Sequence, residues 1–234
     1  MNMKTRSVAT IRFGASVFAA LLMFAAAAFA GPPLICHQID IGNAKSLPWI
    51  SHDWNLSGTE NYDTKNLVRD TLAILDSNAP VLVRMETLRR ATLYAQHQPD
   101  IAKELLTKLY ARATAAESAG HADALAWFDV GYFAEVYKVQ IRGGANNPAT
   151  GIDGYSQVQK AISLRGDDPQ MEFAAALIKF SAPHVTNQEA VEKAMAGAKS
   201  DPLLAKNLSI RFNGSQTPTM AELLSSVPSA KKSN

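Results

Sequence analysis

Cys36 and His37 are the residues whose types come closest to a chemical site in this chain of 234 residues. Cys36 is the single cysteine, and His52 and Asp53 lie a short distance further along the chain. Thiolate, imidazole and carboxylate groups are the ligands that hold zinc or copper in proteins. One hypothesis is therefore a metal- or thiol-dependent function that uses Cys36, His37 and His52.

The same residues also have a simpler interpretation. Neighbouring residues seldom bind one ion together, and the Cys36-His37 pair lacks the second cysteine of a haem-attachment motif. A buried cysteine usually behaves as a small apolar residue. A nucleophilic thiol with a histidine base and a disulfide between two chains are further options. Because no catalytic motif surrounds the pair, we expect a buried cysteine, no cofactor and no catalytic residue.

A second candidate site lies in the aromatic stretch of residues 121–142. Asp129 lies between Trp127 and Tyr132, and an acid in such a pocket can have a raised pKa and take part in binding or catalysis. An ion pair between Asp129 and an arginine of a neighbouring helix is the favoured alternative. Three arginines earlier in the chain can supply that pair: Arg84, Arg89 and Arg90.

The spacing of apolar residues predicts the elements that position these side chains. The stretch 121–142 is apolar on most faces, so it predicts a central helix that other helices cover. Capping residues, prolines and a period of 3.6 residues mark further helices. The predicted helix starts fall near residues 63, 80, 99, 122, 152, 169, 187, 202 and 218. The sequence therefore predicts an all-α protein, an irregular stack of antiparallel helical hairpins over residues 62–224.

Residues 31–61 have no sustained helical period and contain three prolines and three glycines. They predict an extended arm that packs on the helices, because its large apolar groups would be costly to leave in water. The residues expected to hold the arm in place are Leu34, Ile35, Trp49, Ile50 and Trp54. The candidate binding residues of the protein are Trp49, Trp54, Asp129 and Tyr132.

Residues 1–30 have the pattern of a secretory signal peptide. Three basic residues and no acid precede an uncharged apolar run, which ends in Ala28-Phe29-Ala30. A membrane anchor is the alternative, since the run is just long enough to span a bilayer. We expect cleavage near Ala30-Gly31 and a location in the periplasm of a bacterium or outside the cell. No later stretch is apolar and long enough for a stable membrane span.

Charge and cysteine content limit what the remaining chain can do. Residues 31–234 contain 20 Lys+Arg and 21 Asp+Glu, so the net charge of +2 for the whole chain becomes −1. We therefore expect no binding to nucleic acid. A single cysteine cannot form a disulfide within the chain, so stability must come from packing in one domain. The polar residues 225–234 predict a disordered tail.

Residues 143–154 contain four glycines, two asparagines and a proline, which predict a loop. No Lys-Ser or Lys-Thr pair comes after these glycines, so a phosphate-binding loop is a poor interpretation. A connection of this length inside a helical domain is either mobile or a binding loop, and mobility is the favoured prediction.

Two places in the chain resemble tetratricopeptide repeats. The residues that match in the first place are Trp127, Val130, Gly131, Tyr155, Lys160, Ala161, Ile162, Asp168 and Pro169. The second place runs from Ala190 to Pro202. The resemblance implies a helical scaffold whose concave face holds a peptide or a partner protein, and it implies no catalytic residues. We therefore predict an exported scaffold that binds a protein or peptide partner.

Overall fold

Helices account for all the regular structure in the described part of the chain. The computed structural model describes residues 33–50, 58–76, 78–141, 146–181 and 188–212, which all belong to one compact unit (Pro32–Asn234). The α-helices are α1 (Pro33–Cys36), α2 (Leu67–Asp76), α3 (Val81–Ala95), α4 (Pro99–Ser118), α5 (Ala124–Gln140), α6 (Gly154–Arg165), α7 (Pro169–Ser181), α8 (Gln188–Ala198) and α9 (Pro202–Phe212). A 3-10 helix, Thr64–Asn66, precedes α2. These ranges contain no strand, which confirms the predicted all-α class.

The helices begin within a few residues of the predicted starts, because local chemistry marks them. Asp123 caps α5, since its Oδ1 accepts hydrogen bonds from the backbone N–H of Leu125 and Ala126 at 2.9 and 3.2 Å. Asp153 caps α6 in the same way, and Gly166 ends it in the left-handed conformation with a φ of 82°. The predicted start near residue 218, the leader and the tail lie outside the described residues.

Helix α5 lies at the centre of the core, as its sequence predicts. It packs against α3, α4, α6 and α7, and also against the short helix α1. Nearly every residue from Ala126 to Tyr137 is buried. The rings of Phe128 and Tyr132 stack at 5.6 Å between centroids. A helix covered on this many faces has no amphipathic stripe, which is why its apolar residues show no clear period.

Helices α5 and α6 approach each other at backbone distance. A Cβ atom added to Gly131 would lie 2.4 Å from the carbonyl oxygen of Gly154, and one added to Gly154 would lie 2.4 Å from that of Gly131. Because both obstacles are backbone atoms, a side chain at either position would push the two helices apart. These two glycines therefore fix the distance between α5 and α6.

Residues 33–50, here called the N-terminal segment, are part of the core. Leu34 and Ile35 are buried in α1, and Ile39, Ile41 and Leu47 are buried beyond it. Residues 33–36 form a helical turn where the sequence predicts extended chain.

Two of the residues expected to pack the N-terminal arm on the helices, Ile50 and Trp54, are not found buried there. Ile50 is 70% exposed, so the prediction that its side chain packs on the helices is wrong. Trp54 lies outside the described residues. None of the helices in the described ranges combines the length and the apolarity needed to cross a membrane.

Candidate functional site

Helix α3 turns an unusual number of polar side chains toward the protein interior. Its buried polar and charged residues are Arg84, Glu86, Thr87, Arg89 and Thr92. Burying charged groups costs free energy unless they are paired and hydrogen-bonded. The hydrogen-bond partners of these groups therefore show which parts of the chain the inner face of α3 holds in place.

Glu86 is the centre of the first group of contacts. Its fully buried carboxylate accepts hydrogen bonds from Nε of Arg89 at 2.9 Å and Nε of Arg90 at 2.7 Å. It also accepts one from the backbone N–H of Ile39, at 2.8 Å. The carboxylate thus neutralises two guanidinium groups of its own helix and holds the N-terminal segment at the same time.

The partners of Glu86 hold the N-terminal segment at further points. Arg89 donates to the carbonyl oxygen of Ile35 at 2.8 Å, and Arg90 donates to that of Leu47. The hydroxyl of Tyr94 donates to the carbonyl oxygen of Pro48. Side chains of α3 therefore bind the backbone of this segment much as a protein binds an extended peptide.

Helix α9 holds the same segment from the other side. The side chain of Asn207 accepts from the backbone N–H of Asp40 and donates to its carbonyl oxygen, both at 2.8 Å. Lys206 pairs with the Asp40 carboxylate, which holds the pKa of Asp40 below its ordinary value. Arg211 donates to the carbonyl oxygen of His37.

Asp129 forms the ion pair that the sequence favours. Its Oδ2 lies 2.5 Å from Nη1 of Arg84, and both side chains are buried. Arg84 also donates to the carbonyl oxygens of Leu75 and Ala79, at 2.6 and 2.9 Å. This guanidinium group therefore binds the end of α2 and the turn after it to α5.

Burial sets the protonation of Asp129. Loss of solvent raises the pKa of this carboxyl group to about 7, although the positive charges of Arg84 and Arg112 act in the opposite direction. Its Oδ1 has no hydrogen-bond partner among the described residues. The pair is therefore a structural contact whose strength depends on pH.

This shift predicts that stability falls as the pH rises from about 5 to about 7. The unfolded chain releases the Asp129 proton near its ordinary pKa of 3.8, whereas the folded chain keeps it until about 7. In between, the folded state holds one more proton, and the free energy of unfolding falls by about 1.4 kcal/mol per pH unit. Urea unfolding of the wild type and of Asp129→Asn over this range measures the effect. The wild-type stability minus that of the variant should decline, and a flat difference would contradict the shift.

The other predicted binding residues are not brought together. Tyr132 and Asp129 are 0% exposed, so neither side chain reaches the surface in this conformation. Trp49 is partly buried, edge-on to Tyr94 at 5.8 Å and close to the guanidinium of Arg89. Binding through these residues stays a prediction, and the structure gives them contacts within the fold.

Cys36 and His37 lie where α1 ends and α9 approaches. Cys36 is partly buried, and burial together with Arg211 and Arg89 lowers the pKa of His37. The described ranges contain no group of three His, Cys, Asp or Glu side chains that could hold a metal ion. The third residue of the metal hypothesis, His52, lies outside those ranges.

Among the described residues, a groove of about 930 Å³ lies between α4 and the loop before α6. The α4 side is formed by Pro99, Asp100, Lys103, Leu106, Thr107, Tyr110 and Ala111. The loop side is formed by Asn146, Asn147, Pro148 and Ile152. The volume is at the upper end of the range for ligand sites.

Tyr110 is the exposed aromatic residue of this groove. Its side chain is 42% exposed, yet the ring packs edge-on against Trp127 at 5.7 Å between centroids. The ammonium group of Lys160 lies over the ring of Trp127, 3.8 Å from its centroid. The Tyr110 ring is thus a fixed apolar surface of the groove, about two turns along α4 from Lys103.

The described part of the loop is held to the helices. Lys138 donates to the carbonyl oxygen of Ile152 at 2.9 Å, and Asn147 donates to that of Ile141 at 3.4 Å. Ala149 is fully buried. Residues 146–152 therefore form a wall for the groove. The prediction that the loop 143–154 is mobile also concerns residues 143–145, which lie outside the described ranges.

Sequence reasoning missed both Glu86 and the groove. The Glu86-x-x-Arg89-Arg90 spacing was visible, but such spacing is also typical of a solvated helix face. The spacing of Ile101, Leu105, Leu106, Leu109 and Tyr110 predicts one face of a helix. Those leucines are buried, while Tyr110 lies at the edge of that face.

Comparison of the chain with protein-family models, with curated proteins and with solved structures gives no significant match. The contacts of the described residues are therefore the basis on which a function can be proposed.

Proposed function

We propose that the protein is an exported helical scaffold that binds an extended peptide segment of a partner protein in the groove between α4 and the loop before α6. The groove itself is the observation that carries this proposal. Most of its lining residues are exposed, and it has one fixed aromatic surface and both signs of charge. These features suit a peptide better than a compact metabolite.

The groove offers a peptide three kinds of contact. Tyr110 supplies rigid apolar area, and tyrosine is enriched among residues that dominate binding energy. Lys103 and Asp100 lie three residues apart on α4 and are exposed, so both signs of charge are available for peptide side chains. The exposed side chain of Asn146 can donate and accept hydrogen bonds at the loop wall.

The helix pairs α5–α6 and α7–α8 are proposed to be hairpins of the tetratricopeptide type. The contact of Gly131 with Gly154 supports this for the first pair, because it lets two helices pack at backbone distance. Extensive contacts between α7 and α8 support it for the second pair. In such scaffolds, a groove along the helices is the surface that holds a partner.

Export is proposed from the leader pattern of residues 1–30 and from the charge of the remaining chain. With 20 basic and 21 acidic residues, residues 31–234 have little attraction for nucleic acid, which fits a partner of protein nature.

One experiment tests export and binding in sequence. The full chain is expressed in a bacterial host, recovered from the envelope fraction and sequenced from its N-terminus, which should be Gly31. Peptides are then selected on this protein from a phage-displayed random library, and their dissociation constants are measured by fluorescence anisotropy.

Tyr110→Ala is the decisive variant in that experiment. It should weaken the selected peptides by about tenfold or more, as loss of a central aromatic contact does. Ile210→Ala removes an apolar side chain of similar exposure, 48%, from α9 and serves as the matched control. Peptides that bind Tyr110→Ala as tightly as the wild type, or a selection without binders, would contradict the proposed groove. An uncleaved chain would contradict export alone.

A further inference from the structure

The N-terminal segment is held by helices that all come later in the chain. Helix α1 packs on α5 and α7, and side chains of α3 and α9 bind the residues that follow it. The segment is therefore linked to the helices that hold it through one connection. A segment with this topology can enter an identical position in another copy of the chain without threading through the fold.

The contacts that hold the segment are directed mainly at its backbone. Glu86 accepts from the N–H of Ile39 at 2.8 Å, and Asn207 binds both the N–H and the carbonyl oxygen of Asp40, each at 2.8 Å. Other side chains of α3 donate to the carbonyl oxygens of Ile35, Leu47 and Pro48. We call the side chains that make these contacts the segment site: Glu86, Arg89, Arg90, Tyr94, Lys206 and Asn207.

The side chains of the segment restrict what the segment site can hold. The Asp40 carboxylate pairs with Lys206, and the hydroxyl of Ser46 lies 2.9 Å from that of Thr87. Five apolar side chains of the segment are buried as well: Leu34, Ile35, Ile39, Ile41 and Leu47. An occupant therefore needs an acid, a hydroxyl and these apolar groups in the same register. A second copy of this chain has all of them.

The charged groups of the segment site keep their partners or meet water when the segment leaves. Glu86 pairs with Arg89 and Arg90 of its own helix, at 2.9 and 2.7 Å, so its carboxylate stays neutralised. The side chain of Lys206 is 62% exposed and already reaches water. The apolar side chains of the segment, in contrast, lose their cover and must be buried again, either on their own chain or on another.

We propose that two copies of the chain exchange their N-terminal segments and form a dimer in which each segment lies in the segment site of the other copy. The exchange is reciprocal, so both copies keep the contacts described above and the dimer closes with two-fold symmetry. Because the two forms share these contacts, protein concentration sets the ratio of dimer to monomer. This proposal is independent of the peptide groove, whose lining residues belong to α4 and to the loop before α6.

The pair of Asp40 with Lys206 gives a direct test on the wild-type protein. A carbodiimide joins a carboxylate to an ammonium group in contact with it, so it links these two side chains. Protein with natural nitrogen and protein with heavy nitrogen are mixed, unfolded in urea and refolded at high concentration, and the dimer is isolated by size exclusion. Mass spectrometry should find that about half of the Asp40–Lys206 links join a light peptide to a heavy one.

The matched control is the link between Glu117 and Lys160, which joins α4 to α6 at 2.7 Å and does not involve the segment. Both of its peptides should always have the same isotope content. A dimer whose Asp40–Lys206 links also join only peptides of the same isotope content forms through another surface and overturns the proposal. Wild-type protein that stays monomeric at every concentration overturns it as well.

Charge reversal is a second test, and both side chains are exposed enough for the variants to fold. Asp40→Lys and Lys206→Asp each bring like charges together, within one chain and in an exchanged pair of identical copies. After exchange, one copy of each variant joins opposite charges at both segment sites. The mixture should therefore contain several-fold more dimer than either variant alone.

The control for charge reversal is the double variant Asp40→Lys/Lys206→Asp. It restores the ion pair within a single chain and should dimerise as the wild type does. Equal amounts of dimer in the mixture and in the two separate variants would contradict the exchange.

Discussion

Replacing Glu86 with glutamine is expected to lower the free energy of unfolding by about 3–5 kcal/mol, because two buried guanidinium groups lose their carboxylate. Arg89 is 1% exposed and Arg90 is 14% exposed at the side chain, so water cannot replace the lost charge fully. The amide of glutamine still accepts one or two of the hydrogen bonds, but it carries no charge to balance the arginines.

Urea unfolding measures this loss, and limited proteolysis locates it. Because Glu86 also accepts from the backbone N–H of Ile39, cleavage within residues 37–50 should become faster before the helices open. The matched control is Glu104→Gln, which breaks an exposed pair with Lys108 at 3.8 Å on α4. That variant should stay within about 0.5 kcal/mol of the wild type. Equal losses in the two variants would show that the buried contacts add nothing.

Trp127→Ala is expected to cost about 3–5 kcal/mol, the usual range for truncating a large buried aromatic residue. Trp127 is 4% exposed and lies on α5, the helix with contacts on most faces. Its ring also packs edge-on against Tyr110 and makes a cation–π contact with Lys160. The truncation therefore leaves a cavity and removes two surface contacts at once.

Thermal and urea unfolding of Trp127→Ala and Trp127→Phe measure these contributions. The phenylalanine variant should lose less, because it keeps an aromatic ring in the core. Tyr110→Ala is the control for the surface contact alone and should cost less than half as much, since Tyr110 is 42% exposed. An unchanged melting curve for Trp127→Ala would contradict the placement of α5 at the centre of the core.

Local chemistry explains why the helices could be predicted from the sequence. Caps such as Asp123, and prolines such as Pro99 and Pro202, act within one turn, so their effect is visible in a short stretch. The pair of Asp129 with Arg84 was predictable for a related reason. A carboxylate in an apolar helix must find a cation, and few arginines lay on neighbouring helices.

Contacts between distant parts of the chain explain what the sequence did not reveal. Glu86 faces inward because Ile39 lies against it, and 47 residues separate the two. The spacing of Glu86, Arg89 and Arg90 is the same on a buried or a solvated face, so it cannot distinguish them. The groove likewise joins Tyr110 of α4 to Asn146 and Asn147, which follow α5. The spacing of residues in either stretch does not predict this contact.

The two ends of the described chain are tied to each other, and this has a consequence for the order of folding. Asp40 and Asn207 are 167 residues apart, and His37 and Arg211 are 174 apart. Closing so large a loop costs more conformational entropy than forming neighbouring hairpins, and contacts of this kind slow folding. Residues 37–40 are thus expected to be among the last to reach their final place, although they are synthesised long before α9. A chain cut before Asn207 lacks two of the side chains that hold residues 37–40, Asn207 and Arg211, however complete its other helices are.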